Sequence, residues 1–130
     1  MRSRTPPIAD TIHAFIAEVQ VGKSRETART YSTGLNTLLM YLRQARVDPL
    51  KAPIAKLDPE HLIDFPAWLT GEHFRGKNNP ESVATYVAAV LAWLRFLVRE
   101  KLHPELAAEA ERIRDVYRSL RRKSRRLPRA

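Results

Sequence analysis

Apolar residues recur along this chain at spacings of three and four, and strand-like alternation is absent, so the pattern predicts an all-helical protein. After Pro6 and Pro7 a first short helix of three turns is expected, with Asp10 or Thr11 as N-cap and Ile12, Phe15, Ile16 and Val19 as its apolar stripe up to Gly22. A second helix opens at Ser24, whose oxygen can accept from first-turn amides, while Glu26 suits the positive end of the helix dipole. It sets Ala28, Tyr31, Leu35, Leu38, Leu39 and Leu42 on one face and leaves Arg25, Arg29, Ser32, Asn36 and Arg43 largely off it. Gly34 is the weak point of this helix, costing about 1 kcal/mol against alanine.

Residues 47 to 57 form a proline-punctuated connection. Asp58-Pro59-Glu60 then combines an N-cap, a proline at the first helical position and an early acid, which marks a third helix carrying Leu62, Ile63, Phe65, Trp68 and Leu69 inward. Pro66 is expected to kink that helix or split it in two. Residues 71 to 81 read as a polar loop. From about Ser82 to Lys101 a fourth helix is apolar on nearly every face, with only Thr85 and Arg95 polar between Val83 and Val98. Such a helix belongs at the centre of a bundle or in lipid, and its apolar stretch is short for a membrane span of about 20 residues. His103-Pro104 interrupts, and a last helix runs from about Glu105 towards Arg126 with Leu106, Ala110, Ile113, Tyr117 and Leu120 on one face.

Composition narrows the functional classes. The 130 residues suffice for one domain with a core of its own, and ten aromatics supply material for that core. The absence of cysteine excludes disulfides, cysteine-ligated zinc and a thiol nucleophile. The first residues carry charge without an apolar run behind them, so a secretory signal is not expected. Lysine and arginine number 23 against 14 acids, a net charge of +9 that makes a polyanion the first partner to consider. That charge is uneven: residues 112 to 130 carry +8 and residues 1 to 111 only +1.

Two stretches read together are more specific than either alone. Ser24-x-x-Thr27-x-x-x-Tyr31-x-x-x-Leu35-x-x-Leu38-Leu39-x-x-Leu42 resembles the first long helix of the SAM-like, N-terminal core-binding domain of tyrosine recombinases, the phage-integrase family. Ser82-Val83-x-x-Tyr86-Val87-x-Ala89-Val90-x-x-Trp93-x-x-Phe96-Leu97 resembles the last helix of that domain. Asp48-Pro49-Leu50 with Leu57-Asp58-Pro59-Glu60 is similar to the family's link into its third helix, and Arg126-Leu127-Pro128 to the start of the linker into the catalytic domain.

The resemblance covers about residues 8 to 105. It implies a compact bundle of four to five helices, with residues 1–105 as the core-binding domain and 106–130 as a basic C-terminal helix and linker start. It also implies duplex DNA as the partner, recombinase protomers assembled as a tetramer on that DNA, and a cytoplasmic, nucleoid-associated location. Neither a membrane nor a small-molecule substrate is expected. In the family the tyrosine nucleophile, its arginines, a lysine and a His-x-x-Arg element sit in a separate C-terminal domain. None of His13, His61, His73 or His103 is followed three residues later by arginine, so no catalytic residue is expected here and Tyr31, Tyr41, Tyr86 and Tyr117 are not read as nucleophiles, three of them lying at helical positions that suit packing.

By the same resemblance the second and fourth helices face the major groove. Lys23, Ser24, Arg25, Thr27 and Arg29 are then the first candidate contacts, since a helix start offers amides to a phosphate and arginines neutralise it. Lys77, Asn78, Asn79, Ser82 and Thr85 form the corresponding group at the fourth helix, where asparagine can pair bidentately with adenine. Arg95 is either the solvent edge of its helix or a further DNA contact. Arg121, Arg122 and Lys123 in the tail run along the phosphate backbone, solvate an exposed helix or dock on a membrane surface, in that order of preference. Scattered histidines, with Glu105, Glu109 and Glu111 read as the acidic start of a helix, give neither a metal site nor a cofactor site. The rival function is a helical protein-interaction module with an incidental basic tail. RNA binding would call for exposed aromatics, whereas most aromatics here fall on apolar faces.

Overall fold

The computed structural model describes residues 5–70 and 80–126, and among the side chains of those residues all but 80, 81 and 120–126. The described chain folds into five α-helices and no strand: α1 (Ile8–Gly22), α2 (Arg25–Gln44), α3 (Pro59–Leu69), α4 (Pro80–Arg99) and α5 (Pro104–Arg126), with a 3₁₀ turn at Ile54–Lys56. The expected all-helical bundle is therefore the architecture observed.

α4 occupies the centre and touches each of the other four helices. Its Val87, Ala89, Val90, Trp93 and Leu94 are wholly buried, which is why its sequence is apolar on most sides. By length and composition Ser82–Arg99 also meets the requirement of a membrane span, but half of that stretch is buried against the rest of the bundle. α1 runs parallel to α4, with Trp93 Nε1 donating to Thr11 Oγ1 (3.1 Å), Phe96 against Phe15 and Arg99 bonded to Glu18. α2 runs antiparallel to both. Gly34 lies over Tyr86 and Ala89 of α4, and three residues earlier Tyr31 stacks on Phe15 beside Ala92 and Phe96.

That contact changes the meaning of Gly34. A Cβ there would come within 2.7 Å of Ala89 Cβ and 3.2 Å of Tyr86 Cα. The helical propensity lost to glycine is exchanged for a close α2–α4 approach that a side chain would block.

Two helix expectations are corrected. α1 starts at Ile8, before Asp10 and Thr11, and neither residue caps it. Its first amides are taken up by the connection instead: Ile8 N–H donates to Ala52 O (3.0 Å) and Ala9 N–H to Pro49 O (2.9 Å), while Ile54 N–H donates to Pro6 O (2.8 Å). Backbone from the 47–57 segment thus performs the capping, and the helix gains a turn over the expected three. Thr11 turns inward, where its hydroxyl donates to Ile8 O and accepts from Trp93.

The second correction concerns the split expected at Pro66 as the alternative to a kink: α3 is continuous from Pro59 to Leu69 with the proline inside. Proline has no N–H for the carbonyl four residues earlier, that of Leu62. The buried Tyr117 hydroxyl of α5 donates to this carbonyl at 2.6 Å and replaces the missing bond. The other expected start is observed as read: Asp58 Oδ1 accepts from Glu60 N–H (3.0 Å), with Pro59 at the first position.

α2 and α4 both end in left-handed residues that are not glycine, Arg46 (φ 68°) and Lys101 (φ 57°). In each case the next amide reaches five residues back, Val47 N–H to Leu42 O (2.8 Å) and Leu102 N–H to Leu97 O (3.1 Å), which closes the helix and turns the chain. After the second turn His103 is buried between elements. Leu106 N–H donates to its Nδ1 (3.3 Å), so Nε2 carries the proton and donates to Leu57 O (2.6 Å). α5 then packs Leu106, Ala110, Ile113 and Tyr117 into the same core as α3 and α4, so the chain beyond residue 105 shares the bundle's core.

Candidate nucleic-acid interface

The start of α2 is fixed by its own side chains. Ser24 is the N-cap, its Oγ accepting from Thr27 N–H (2.9 Å) and lying 2.9 Å from Thr27 Oγ1. The two hydroxyls are thereby committed to each other, and the turn that carries Lys23, Arg25 and Arg29 is held rigid. All three cations are exposed and make no ion pair among the described residues.

Other cations are neutralised. Arg99 binds Glu18 (2.6 Å) and Glu100 (3.0 Å), and these bonds, Glu18 first, hold its guanidinium above its ordinary value. Arg112 bridges Glu60 of α3 (2.8 Å) and Glu109 (2.9 Å), and Arg118 approaches Asp115 at 3.7 Å. Among the described residues of the tail, Arg112 is therefore tied to acids of α3 and α5 and Arg118 to the tail's own Asp115.

Between α1, the start of α2 and the end of α4 lies a groove of about 420 Å³. Phe15 and Phe96 form its floor, Tyr31 one wall, and Lys23, Arg95 and the Glu18–Arg99 pair its rim. Arg95 is exposed without an ion pair among the described residues and stands at the same corner as Lys23. Arg95 is therefore at the solvent edge of α4 and at the cationic corner at once.

Ser82 and Thr85 lie at the other end of α4, half-buried and exposed respectively. Thr85 is ten residues from Arg95, about 15 Å along the helix axis. The α2 group and the α4 group are thus carried on neighbouring helices but at opposite ends of the pair. Lys77, Asn78 and Asn79 lie outside the described residues. Arg121, Arg122 and Lys123 fall on α5, which runs on to Arg126, and their side chains lie outside the description.

Protein families, curated proteins and solved structures offer no match to this chain.

Tyr117 and Tyr41 are buried in the packing of the bundle. Burial raises the Tyr117 phenol well above its ordinary value, with nearby Tyr41 adding to the effect, and its hydroxyl is already donated to Leu62 O. Tyr41 is raised by burial and then by Asp64, and its ring packs against His61, Phe65 and Trp68. Among the described residues no group of three histidines, aspartates or glutamates is placed to hold a metal ion.

The resemblance singled out the start of α2 as a contact, and the apolar pattern placed Arg25, Arg29, Asn36 and Arg43 off the buried face without marking Asn36 or Arg43 as contacts. Arg25, Arg29, Thr33, Asn36, Met40 and Arg43 follow one another at steps of four and three, and all are exposed. Arg43 likewise makes no ion pair among the described residues.

Proposed function

We propose that this chain binds duplex DNA without covalent chemistry, as the core-binding domain of a tyrosine recombinase that positions a separate catalytic domain. The observation that carries the reading is the outer face of α2: a capped helix whose Arg25, Arg29 and Arg43, with Lys23 at its foot, are exposed and make no ion pair among the described residues. Cations fixed on a rigid element and left without acids are what phosphate binding requires. Arg95 extends the same corner onto α4, and Thr85 lies about 15 Å further along that helix, comparable with the roughly 12 Å width of a major groove.

In this mechanism the basic α2 edge and tail capture the phosphate backbone, and α2 and α4 then settle at the groove. The resemblance of the Ser24 to Leu42 and Ser82 to Leu97 stretches to the recombinase family supplies the role in recombination, DNA integration included. The test is the double substitution Arg25→Ala with Arg29→Ala. Both side chains are exposed and make no hydrogen bond or ion pair among the described residues, so helicity and unfolding midpoint are expected to stay unchanged while duplex affinity falls. Unchanged affinity would remove α2 from the interface. A protein that ignores duplex DNA yet captures a partner protein would instead establish the interaction-module reading.

A further inference from the structure

The outer face of α2 is organised as more than a cationic strip. From Arg25 to Arg43 it extends about 27 Å, with arginines towards both ends and Thr33, Asn36 and Met40 between them. Asn36 stands seven residues from Arg29 and seven from Arg43, about 10 Å in each direction. That spacing matches a helix whose ends meet phosphates while its centre lies over base edges.

Several of the polar groups along α2 near Asn36 are already occupied. Thr30, Thr33 and Thr37 donate their hydroxyls to the carbonyls of Glu26, Arg29 and Thr33 (3.1, 3.1 and 2.9 Å). Ser24 and Thr27 hold each other, and the Gln44 amide accepts from Trp68 Nε1 (3.2 Å). Asn36 is exposed and makes no side-chain hydrogen bond among the described residues. Asparagine is also a weaker helix former than alanine, and here it satisfies no backbone or side-chain group in return. Met40, 46% exposed, stands one turn further along the same face, and Thr33 one turn before with its hydroxyl turned back to the helix.

We propose that Asn36 is a base-reading residue that selects adenine, with Met40 and Thr33 packing on thymine methyl groups beside it. An asparagine amide offers one acceptor and one donor edge, which match adenine N6–H and N7 in the major groove, and apolar side chains distinguish thymine by its methyl. The strip therefore reads an A·T-containing step, and Arg29 and Arg43 fix its register through phosphates. This inference rests on the duplex-binding reading above.

The experiment selects preferred sites from a pool of sequence-randomised duplexes with the full chain, then with Asn36→Ala and with Met40→Ala. For the unaltered chain the selected sites are expected to share an adenine at one fixed position. Asn36→Ala is expected to keep its helicity, its affinity for unselected duplex and its salt dependence, while discrimination at that position falls about tenfold. Met40→Ala is expected to relax the thymine preference at an adjacent position only. A chain that binds duplexes with no base preference, or an adenine preference that survives Asn36→Ala, would overturn the inference and leave duplex binding standing. A folded chain that binds no duplex would overturn both.

Discussion

Pro66 and Tyr117 solve one problem between them. The proline leaves the Leu62 carbonyl without its helical donor, and the hydroxyl of Tyr117, fully buried, supplies a 2.6 Å bond in its place. Tyr117→Phe removes the hydroxyl and strands a buried carbonyl, so it is expected to lower stability by about 1–3 kcal/mol in denaturant unfolding. In a Pro66→Ala background the restored amide can serve Leu62, and the cost of Tyr117→Phe should shrink; equal costs in both backgrounds would separate the two residues. The same phenol makes a pH prediction. Burial raises both Tyr117 and Tyr41, so folding favours their neutral forms. Their contribution is complete below the ordinary tyrosine value and declines as pH rises above it. The unfolding midpoint should therefore fall as pH rises above about 10, and fall less in Tyr117→Phe.

At the scale of elements the fold turns on how closely α2 and α4 approach. Gly34→Ala would press a methyl to 2.7 Å from Ala89 Cβ, so it is expected to destabilise the protein by about 1–3 kcal/mol despite alanine's higher helix propensity. Ala89→Gly should recover part of the loss, since it removes the atom that is struck. Calorimetric midpoints of the two single variants and the pair check this; a stabilised Gly34→Ala would contradict the packing. The contrast shows which features a sequence displays. The Ser24 cap, the Asp58-Pro59 start and the all-round apolarity of α4 are local or periodic, and each was readable. The role of Gly34 depends on a neighbour 55 positions away, the continuity of α3 on a hydroxyl equally distant, and the start of α1 on carbonyls of the 47–57 connection. None of these has a local signature, so glycine and proline read there as weaknesses that the tertiary structure removes.

Across the whole molecule the excess charge separates into paired and unpaired parts. Arg99, Arg112 and Arg118 are held by acids, whereas Lys23, Arg25, Arg29, Arg43 and Arg95 are not, within the described residues. The start of α2 was legible as a candidate because a cap and its neighbouring cations are contiguous in sequence. The outer face carrying Arg25, Arg29, Asn36 and Arg43 was legible from periodicity as well, whereas the convergence of Arg95 with Lys23 required the helices to be placed. The proposed binding rests on these cations neutralising phosphates of duplex DNA. Its most direct measurement is duplex affinity as a function of salt. Neutralising about five phosphates gives a slope of about −4 to −5 in log affinity against log salt, reduced by about 2 in the Arg25→Ala, Arg29→Ala protein. A folded chain with no detectable duplex binding at about 50 mM salt would contradict the claim.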